Sequence, residues 1–211
     1  MWNRPENQVK LIMIRHAATK SNGEHRYLGR TDEGLTEESL RRLKAAREKE
    51  QYPEADIVFT SPMKRCLETA RVLYPELQPI QIPEWVEMDF GDFEGKNYID
   101  LKDDRRYQAW IDSNGILPFP NGESREAFIR RSCSGLEKMI KLLEQRKDTV
   151  TTVNSVAVIV HGGTIMSLLS SYHGGEYFDY QVPNGSGYIC MLKYEKNGLK
   201  ITEPGRLHLE W

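Results

Sequence analysis

Cysteine is scarce in this chain and badly placed for chemistry. Among 211 residues there are three, Cys66, Cys133 and Cys190. Their number is odd, they lie far apart, and none forms a CxxC pair, so they read as reduced core thiols rather than a disulfide framework or a redox motif. Long apolar runs are also missing. Nothing approaches the ~20 residues of a membrane-spanning helix, and residues 1–10 are polar and carry Pro5, unlike a secretory leader. Charge of one sign is lacking too. A formal net charge of −2 leaves no general footprint for nucleic acid or a membrane surface, although a local basic pocket stays open. Internal repeats and low-complexity tracts are absent. So is any cluster of His and Asp at metal-ligand spacing, such as HxH, which sets aside a zinc or binuclear metal hydrolase. The expectation is a soluble, cytoplasmic protein with no nucleic-acid or membrane partner and no metal or other cofactor.

What is present is an ordinary globular composition, 39% hydrophobic and 28% charged, enough to build a core. Two apolar runs each end in a histidine. Leu11-Ile12-Met13-Ile14 leads into Arg15-His16, and Val156-Ala157-Val158-Ile159-Val160 leads into His161-Gly162-Gly163-Thr164. Runs of this kind read as strands buried on both faces, as in parallel sheets. Ligands of such sheets bind beyond the carboxyl ends of the strands, so the two histidines are expected at one rim.

The rest of the chain alternates between strand and helix. A Gly-rich polar loop spans Ala17 to Leu35. Thr36 caps a helix with Glu37 and Glu38 in its first turn and Leu40 and Leu43 on one face. Asp56 to Thr60 is a strand, and Ser61-Pro62 reads as an N-cap with proline at the first helical position. The helix that follows carries Arg65 in its first turn and ends near Tyr74, before Pro75. A short extended piece covers Ile80 to Ile82. Glu84 to Asn121, rich in aromatics and charge, reads as a cap inserted over the rim and too small for its own core. A long amphipathic helix starts at Ser124, with Phe128, Leu136, Met139, Ile140 and Leu143 at helical spacing, and closes in a charged turn over Glu144 to Asp148. Strands near Tyr188–Tyr194 and Leu199–Glu203 meet around Lys196-Asn197-Gly198, a good hairpin turn. The expected fold is a three-layer α/β/α sandwich with a mostly parallel sheet, one domain over 1–211 with the cap at about 84–121.

Arg15, His16, Arg65 and His161 all fall at strand ends or in the first turn beyond one. Two arginine forks and two imidazoles suit a dianionic tetrahedral group. An imidazole nitrogen can attack phosphorus, and a second can stabilise the charge in transfer. Gly162 and Gly163 free backbone N–H groups at a helix start for the same anion. The leaving alkoxide needs a proton, which a partly desolvated carboxyl in the 84–121 segment can supply. Spacing leaves Glu87, Asp89, Asp92 and Glu94 as choices.

These residues lie in a pattern that resembles the histidine phosphatase superfamily, the phosphoglycerate mutase-like proteins. Arg15-His16-Ala17-Ala18-Thr19-Lys20-Ser21-Asn22 resembles its Arg-His-Gly signature. Tyr27 to Asp32, Leu35-Thr36, Ser61-Pro62 with Arg65 and Thr69-Ala70, Glu87 to Gly95, Gly122-Glu123-Ser124 and His161-Gly162-Gly163 follow in the right order. The resemblance implies His16 as the phosphorylated nucleophile, and Arg15, Arg65 and His161 as holders of the phosphoryl group. It implies Glu87 as the proton donor and later base. Asn22, Thr19 and the backbone near Gly29 and Gly162 would line the pocket, and no metal would be used. Two positions depart from the pattern. Ala17 stands where glycine is usual, and Ala18 lacks the polar side chain often found there; neither removes a catalytic group.

The short element Arg105-Arg106-Tyr107-Gln108-Ala109-Trp110, with Gly29 to Glu33 and Met88 to Gly91, is most similar to the alpha-ribazole phosphatase branch of cobalamin biosynthesis. The mutase branch carries a longer insertion. The resemblance therefore implies a metal-independent phosphomonoester hydrolase acting on a small phosphorylated metabolite, with alpha-ribazole 5'-phosphate as one substrate. A phosphoglycerate mutase or fructose-bisphosphatase-like activity and a non-catalytic phosphate-binding protein are the alternatives. Arg30 and Thr164 serve either the substrate or an ordinary loop and helix start. Ser124 reads as a helix cap, and Trp85, Tyr98, Tyr107 and Trp110 as packing of the inserted segment, with stacking of one of them on a substrate ring as the alternative. His25, His173 and His208 read as structural or exposed.

Overall fold

Strand β1 (Gln8–Arg15) is apolar on both faces, and its residues 11 to 14 are fully buried. In the computed structural model, which describes residues 7–146, 153–195 and 198–207, it lies inside a sheet with five further strands. These are β2 (Ile57–Thr60), β3 (Ile80–Gln81), β4 (Ser155–Val160), β5 (Gly187–Glu195) and β6 (Gly198–Leu207). The order is β3-β2-β4-β1-β5-β6. The first four of these run parallel; β5 pairs antiparallel with β1, and β6 with β5.

In chain order the helices are α1 (Lys20–Gly23), α2 (Glu37–Glu48), α3 (Lys64–Leu73), α4 (Tyr98–Leu101), α5 (Arg105–Asp112), α6 (Arg125–Arg146) and α7 (Gly162–Tyr172). Side chains alternate across a strand, and that alternation separates two cores. Ile12, Ile14, Ala157 and Ile159 meet Leu43 and Ala46 of α2 and Cys66, Ala70 and Leu73 of α3. Leu11, Met13, Val156 and Val158 meet Leu136 and Met139 of α6 and Ile165 and Leu168 of α7. The result is the three-layer α/β/α sandwich read from the sequence. No helix among the described residues is long and apolar enough to cross a membrane.

Local signals explain most boundaries. Thr36 Oγ1 accepts from Ser39 N at 3.1 Å and opens α2. Ser124 Oγ accepts from Ala127 N at 3.1 Å and opens α6. Helix α3 departs from expectation: it begins at Lys64 with Met63 as N-cap, two residues beyond the Ser61-Pro62 start. The hydroxyl of Ser61 is taken up by His161 Nε2 at 2.9 Å and reaches Met63 N only at 3.4 Å. A distant carboxylate replaces it, since Asp32 Oδ1 accepts from Lys64 N at 2.7 Å.

The 84–121 segment also differs from its reading. It carries a small core, in which Met88, Phe93, Leu101, Tyr107 and Phe119 pack with Phe128 of α6. Trp85 is not part of it. Its indole is fully buried in the core under α6 and donates to Ser132 O at 3.1 Å. Tyr98 is 62% exposed and packs little. Strand β6 runs on to Leu207, beyond the expected Glu203. Helix α6 reaches Arg146; the rest of the Glu144–Asp148 turn, Lys196-Asn197 of the hairpin and His208 lie outside the described residues.

Candidate active site

The sheet order brings three strand ends together. His16 follows β1, His161 follows β4 and Ser61 follows β2, and these strands are neighbours. His16 N donates to Val160 O at 2.8 Å, and Ser61 N to Ile159 O at 3.0 Å. The two imidazoles stand edge to face, with centroids 5.2 Å apart and planes at 69°. Both are buried.

The tautomer of His16 follows from its partner. Nδ1 lies 2.8 Å from Ala17 O. A carbonyl oxygen only accepts, so Nδ1 carries the proton and Nε2 keeps its lone pair. Burial holds the His16 pKa well below the usual imidazole range, and Arg65 and Arg15 push it further down. The ring is neutral at physiological pH, the state a nucleophile needs.

Arg15 ends β1 and Arg65 lies in the first turn of α3. Arg15 Nη1 donates to Val182 O at 2.8 Å, while Arg65 donates to Thr31 O and Gly29 O, both at 2.9 Å. These carbonyls orient the guanidiniums without neutralising them. Neither is ion-paired among the described residues, and the Nε of each is buried with no acceptor. Buried donors of this kind are rare because each costs about 1–3 kcal/mol. A tetrahedral dianion offers the acceptors that would complete them.

His161 is the N-cap of α7. Its Nε2 is 2.9 Å from Ser61 Oγ and its Nδ1 is 3.6 Å from Glu87 Oε2. Burial, followed by the fields of Arg65, His16 and Arg15, lowers its pKa well below the ordinary value. Glu87 follows a single 3-10 turn (Pro83–Trp85), and its side chain is 12% exposed. Burial raises its pKa although Met88 N, Arg65, Arg15 and Arg131 all favour the carboxylate.

The backbone around Glu87 is clamped from α6. Arg131 Nη1 donates to Glu84 O at 2.7 Å and Val86 O at 2.8 Å. Its Nη2 and Nε meet Glu123 Oε2 and Oε1 at 2.8 and 3.1 Å, a two-pronged pair. Glu123 falls in the Gly122-Glu123-Ser124 match, but nothing in the local sequence pattern singles out Arg131 or Asn184. Asn184 Nδ2 donates to His16 O at 3.0 Å and to Asn22 Oδ1 at 3.1 Å.

The remaining residues named from sequence fall in different places. Thr19 caps α1 and exchanges bonds with Asn22, which places both beside the His16 backbone. Gly29 lies under Arg65, but its N–H is committed to Glu94 Oε1 at 2.9 Å. A Cβ at Gly29 would come within 2.1 Å of Met88 O, so this turn packs directly on the Glu87 loop. Gly162 and Gly163 line a cavity of about 620 Å³ with Arg15, Glu87, Tyr27 and Phe90. Arg30 is over half exposed, with Nε 3.6 Å from Asp89 Oδ2. Thr164 is fully buried with an unpartnered Oγ1. Ala17 donates its N–H to Thr69 Oγ1 at 3.1 Å and buries its methyl in the core, so the departure from glycine is accommodated. Among the described residues no group of three or more His, Cys, Asp or Glu is arranged to hold a metal ion.

Comparison with known proteins agrees with this geometry. The family model of the histidine phosphatase superfamily (branch 1) matches residues 11–205. The adenosylcobalamin/alpha-ribazole phosphatase of Escherichia coli K12 is 30% identical over 171 residues, covering 79% of this chain and 80% of that protein. The 2,3-bisphosphoglycerate-dependent phosphoglycerate mutase of Parvibaculum lavamentivorans is 29% identical over 172 residues, 75% of this chain and 77% of its own. The crystal structure of the alpha-ribazole phosphatase of Shigella flexneri aligns over 93% of this chain and 96% of its own. Its TM-score is 0.72 at 23% identity, a likeness of fold.

Proposed function

Because the chain belongs to the histidine phosphatase superfamily, and so to a class of phosphatase enzymes, we propose that it hydrolyses small phosphomonoesters through a phosphohistidine at His16. The Nε2 lone pair forms the N–P bond while the P–O ester bond breaks. Arg15, Arg65 and His161 hold the charge of the phosphoryl group in flight. The departing alkoxide takes the proton of Glu87. Water then attacks phosphorus and gives its proton to the Glu87 carboxylate, and the N–P bond breaks to return neutral His16 and free phosphate.

One observation carries the reading: a neutral imidazole with a free Nε2 lies in the field of two guanidiniums, Arg65 buried and Arg15 partly so, whose buried Nε atoms lack acceptors. A metal is not required, because the arginines supply the positive charge. The finer substrate we propose is alpha-ribazole 5'-phosphate, supported by the relative that carries that name. We read residues 1–211 as one domain with 84–121 inserted over the rim. The free thiols of Cys66, Cys133 and Cys190 support a cytoplasmic setting.

The test is a panel of alpha-ribazole phosphate, fructose bisphosphates, phosphoglycerates and a generic aryl phosphate, with chelator present. Release of inorganic phosphate unaffected by the chelator is expected. Chelator-abolished activity would overturn the mechanism, and isomerisation of 3-phosphoglycerate without phosphate release would replace hydrolase by mutase.

A further inference from the structure

Beside the cavity lined by Arg15, Gly162 and Gly163 lies a second, apolar one of about 160 Å³. Tyr27, Glu87, Phe90, Gly163 and Met166 line both. Glu87 therefore stands at the junction, with Arg15 and the Gly162-Gly163 helix start on one side and the apolar walls on the other. A proton donor acts where the ester oxygen leaves, so the second cavity lies on the alcohol side of the scissile bond.

Aromatic side chains supply half of its lining residues. Trp110 and Phe119 pack with centroids 4.9 Å apart, Phe90 and Phe119 at 5.0 Å, and Tyr177 closes the α7 side. An apolar space of about 150 Å³ is known to take a benzene ring, so the volume fits one ring. One polar atom of a lining residue is left over. The indole Nε1 of Trp110 is buried with no acceptor among the described residues. Arg125 also lines the cavity, but its guanidinium lies over the rings of Tyr177 and Phe178, 5.6 Å from each centroid.

Resting on the phosphatase reading above, we propose that this cavity selects phosphomonoesters whose alcohol carries a planar aromatic ring with a hydrogen-bond acceptor, and that Trp110 is the residue that reads the acceptor. Ring burial provides the bulk preference, and the indole N–H distinguishes a heteroaromatic ring from a hydrocarbon one. Small aliphatic esters leave the walls uncovered and the N–H unpaired.

Four phosphate esters test this: ethyl, benzyl and 3-pyridylmethyl phosphate and O-phosphoserine, compared by kcat/KM on the full chain. Ethyl and benzyl alkoxides have similar basicity, so leaving-group chemistry does not mask binding. Benzyl phosphate is expected to exceed ethyl phosphate by about tenfold or more. The pyridylmethyl ester is expected to exceed benzyl by about fivefold, and that second ratio falls to about one in Trp110→Phe. Ethyl phosphate or phosphoserine matching benzyl phosphate would overturn the proposal, as would a pyridyl preference that survives in Trp110→Phe. If that variant does not fold, the ring preference of the unaltered enzyme decides alone. Hydrolysis of all four without ring preference sinks only this inference; hydrolysis of none sinks the phosphatase reading with it.

Discussion

His161 Nδ1 lies 3.6 Å from Glu87 Oε2, a contact that is an ion pair only when the imidazole is protonated. Burial lowers the imidazole and raises the carboxyl, and Arg65 and Arg15 disfavour a second positive charge on the ring. Both shifts favour the neutral form of each group. A neutral carboxyl is the state that a leaving alkoxide requires, and burial favours it against the pull of the same two arginines toward the carboxylate.

Glu87→Gln should therefore damage catalysis selectively. A glutamine keeps the shape but has no transferable proton, so kcat/KM for alkyl phosphates should fall about 100- to 10,000-fold. For p-nitrophenyl phosphate, whose leaving group needs no protonation, the loss should be much smaller. In the unaltered enzyme kcat/KM should decline as pH rises through the elevated Glu87 pKa, and that limb should vanish in the variant. Equal losses on both substrates would assign the proton to another group.

Acid should destabilise the fold. His16 and His161 have folded-state pKa values well below the ordinary 6.5, so below that pH the unfolded chain binds their protons first. Their contribution is present above about pH 6.5 and is lost on acidification, by up to ~1.4 kcal/mol per group per pH unit. Glu87, raised in the fold, works in the opposite sense, but it is one group against two. Urea midpoints should drop between pH 7.5 and 5.5, and His161→Gln should flatten the drop. A midpoint that is level or rises on acidification would contradict the burial argument.

Arg131→Met should act on both stability and chemistry. It unpairs Glu123 and removes the donors that hold Glu84 O and Val86 O, at a cost of about 2–3 kcal/mol. The loosened loop should lower kcat for alkyl phosphates more than for p-nitrophenyl phosphate, with KM nearly unchanged. A uniform loss on both substrates would reduce Arg131 to a purely structural role.

Gly163→Ala should displace the Glu87 carboxyl directly. A Cβ there would come 2.9 Å from Phe128 Cε1 and 3.1 Å from Glu87 Oε1. The ring is fully buried, so the carboxyl is the softer neighbour and should shift. The expected outcome is a kcat reduction of about tenfold or more. Full activity would show that Glu87 tolerates the displacement.

The layers of the fold were legible because β1 and β4 are apolar on both faces and end in histidine, which places the rim before any coordinates. The choice of Glu87 among four acids was not legible from spacing and rested on resemblance. The structure gives the other three different work. Glu94 accepts from Gly29 N, Asp89 accepts from Gly91 N at 2.9 Å, and Asp92 pairs with Arg106 at 2.6 Å. Ser61 read as a helix cap because local pattern carries no trace of a partner 100 residues away. Arg131 is one of several arginines on a long helix, and only tertiary contact distinguishes it from a solvated one. The aromatics of 84–121 read as cap packing, which holds for Tyr107 but not for Trp85, buried under α6, or the exposed Tyr98.

The central claim is the covalent bond at His16 Nε2. Rapid quenching of the enzyme with a phosphomonoester, followed by alkaline digestion and peptide mass analysis, reads it directly. One phosphoryl group is predicted on the peptide containing His16, stable in alkali and lost in acid, and absent from His16→Ala. A phosphoryl group that survives acid, maps to another residue, or persists in His16→Ala would contradict the account.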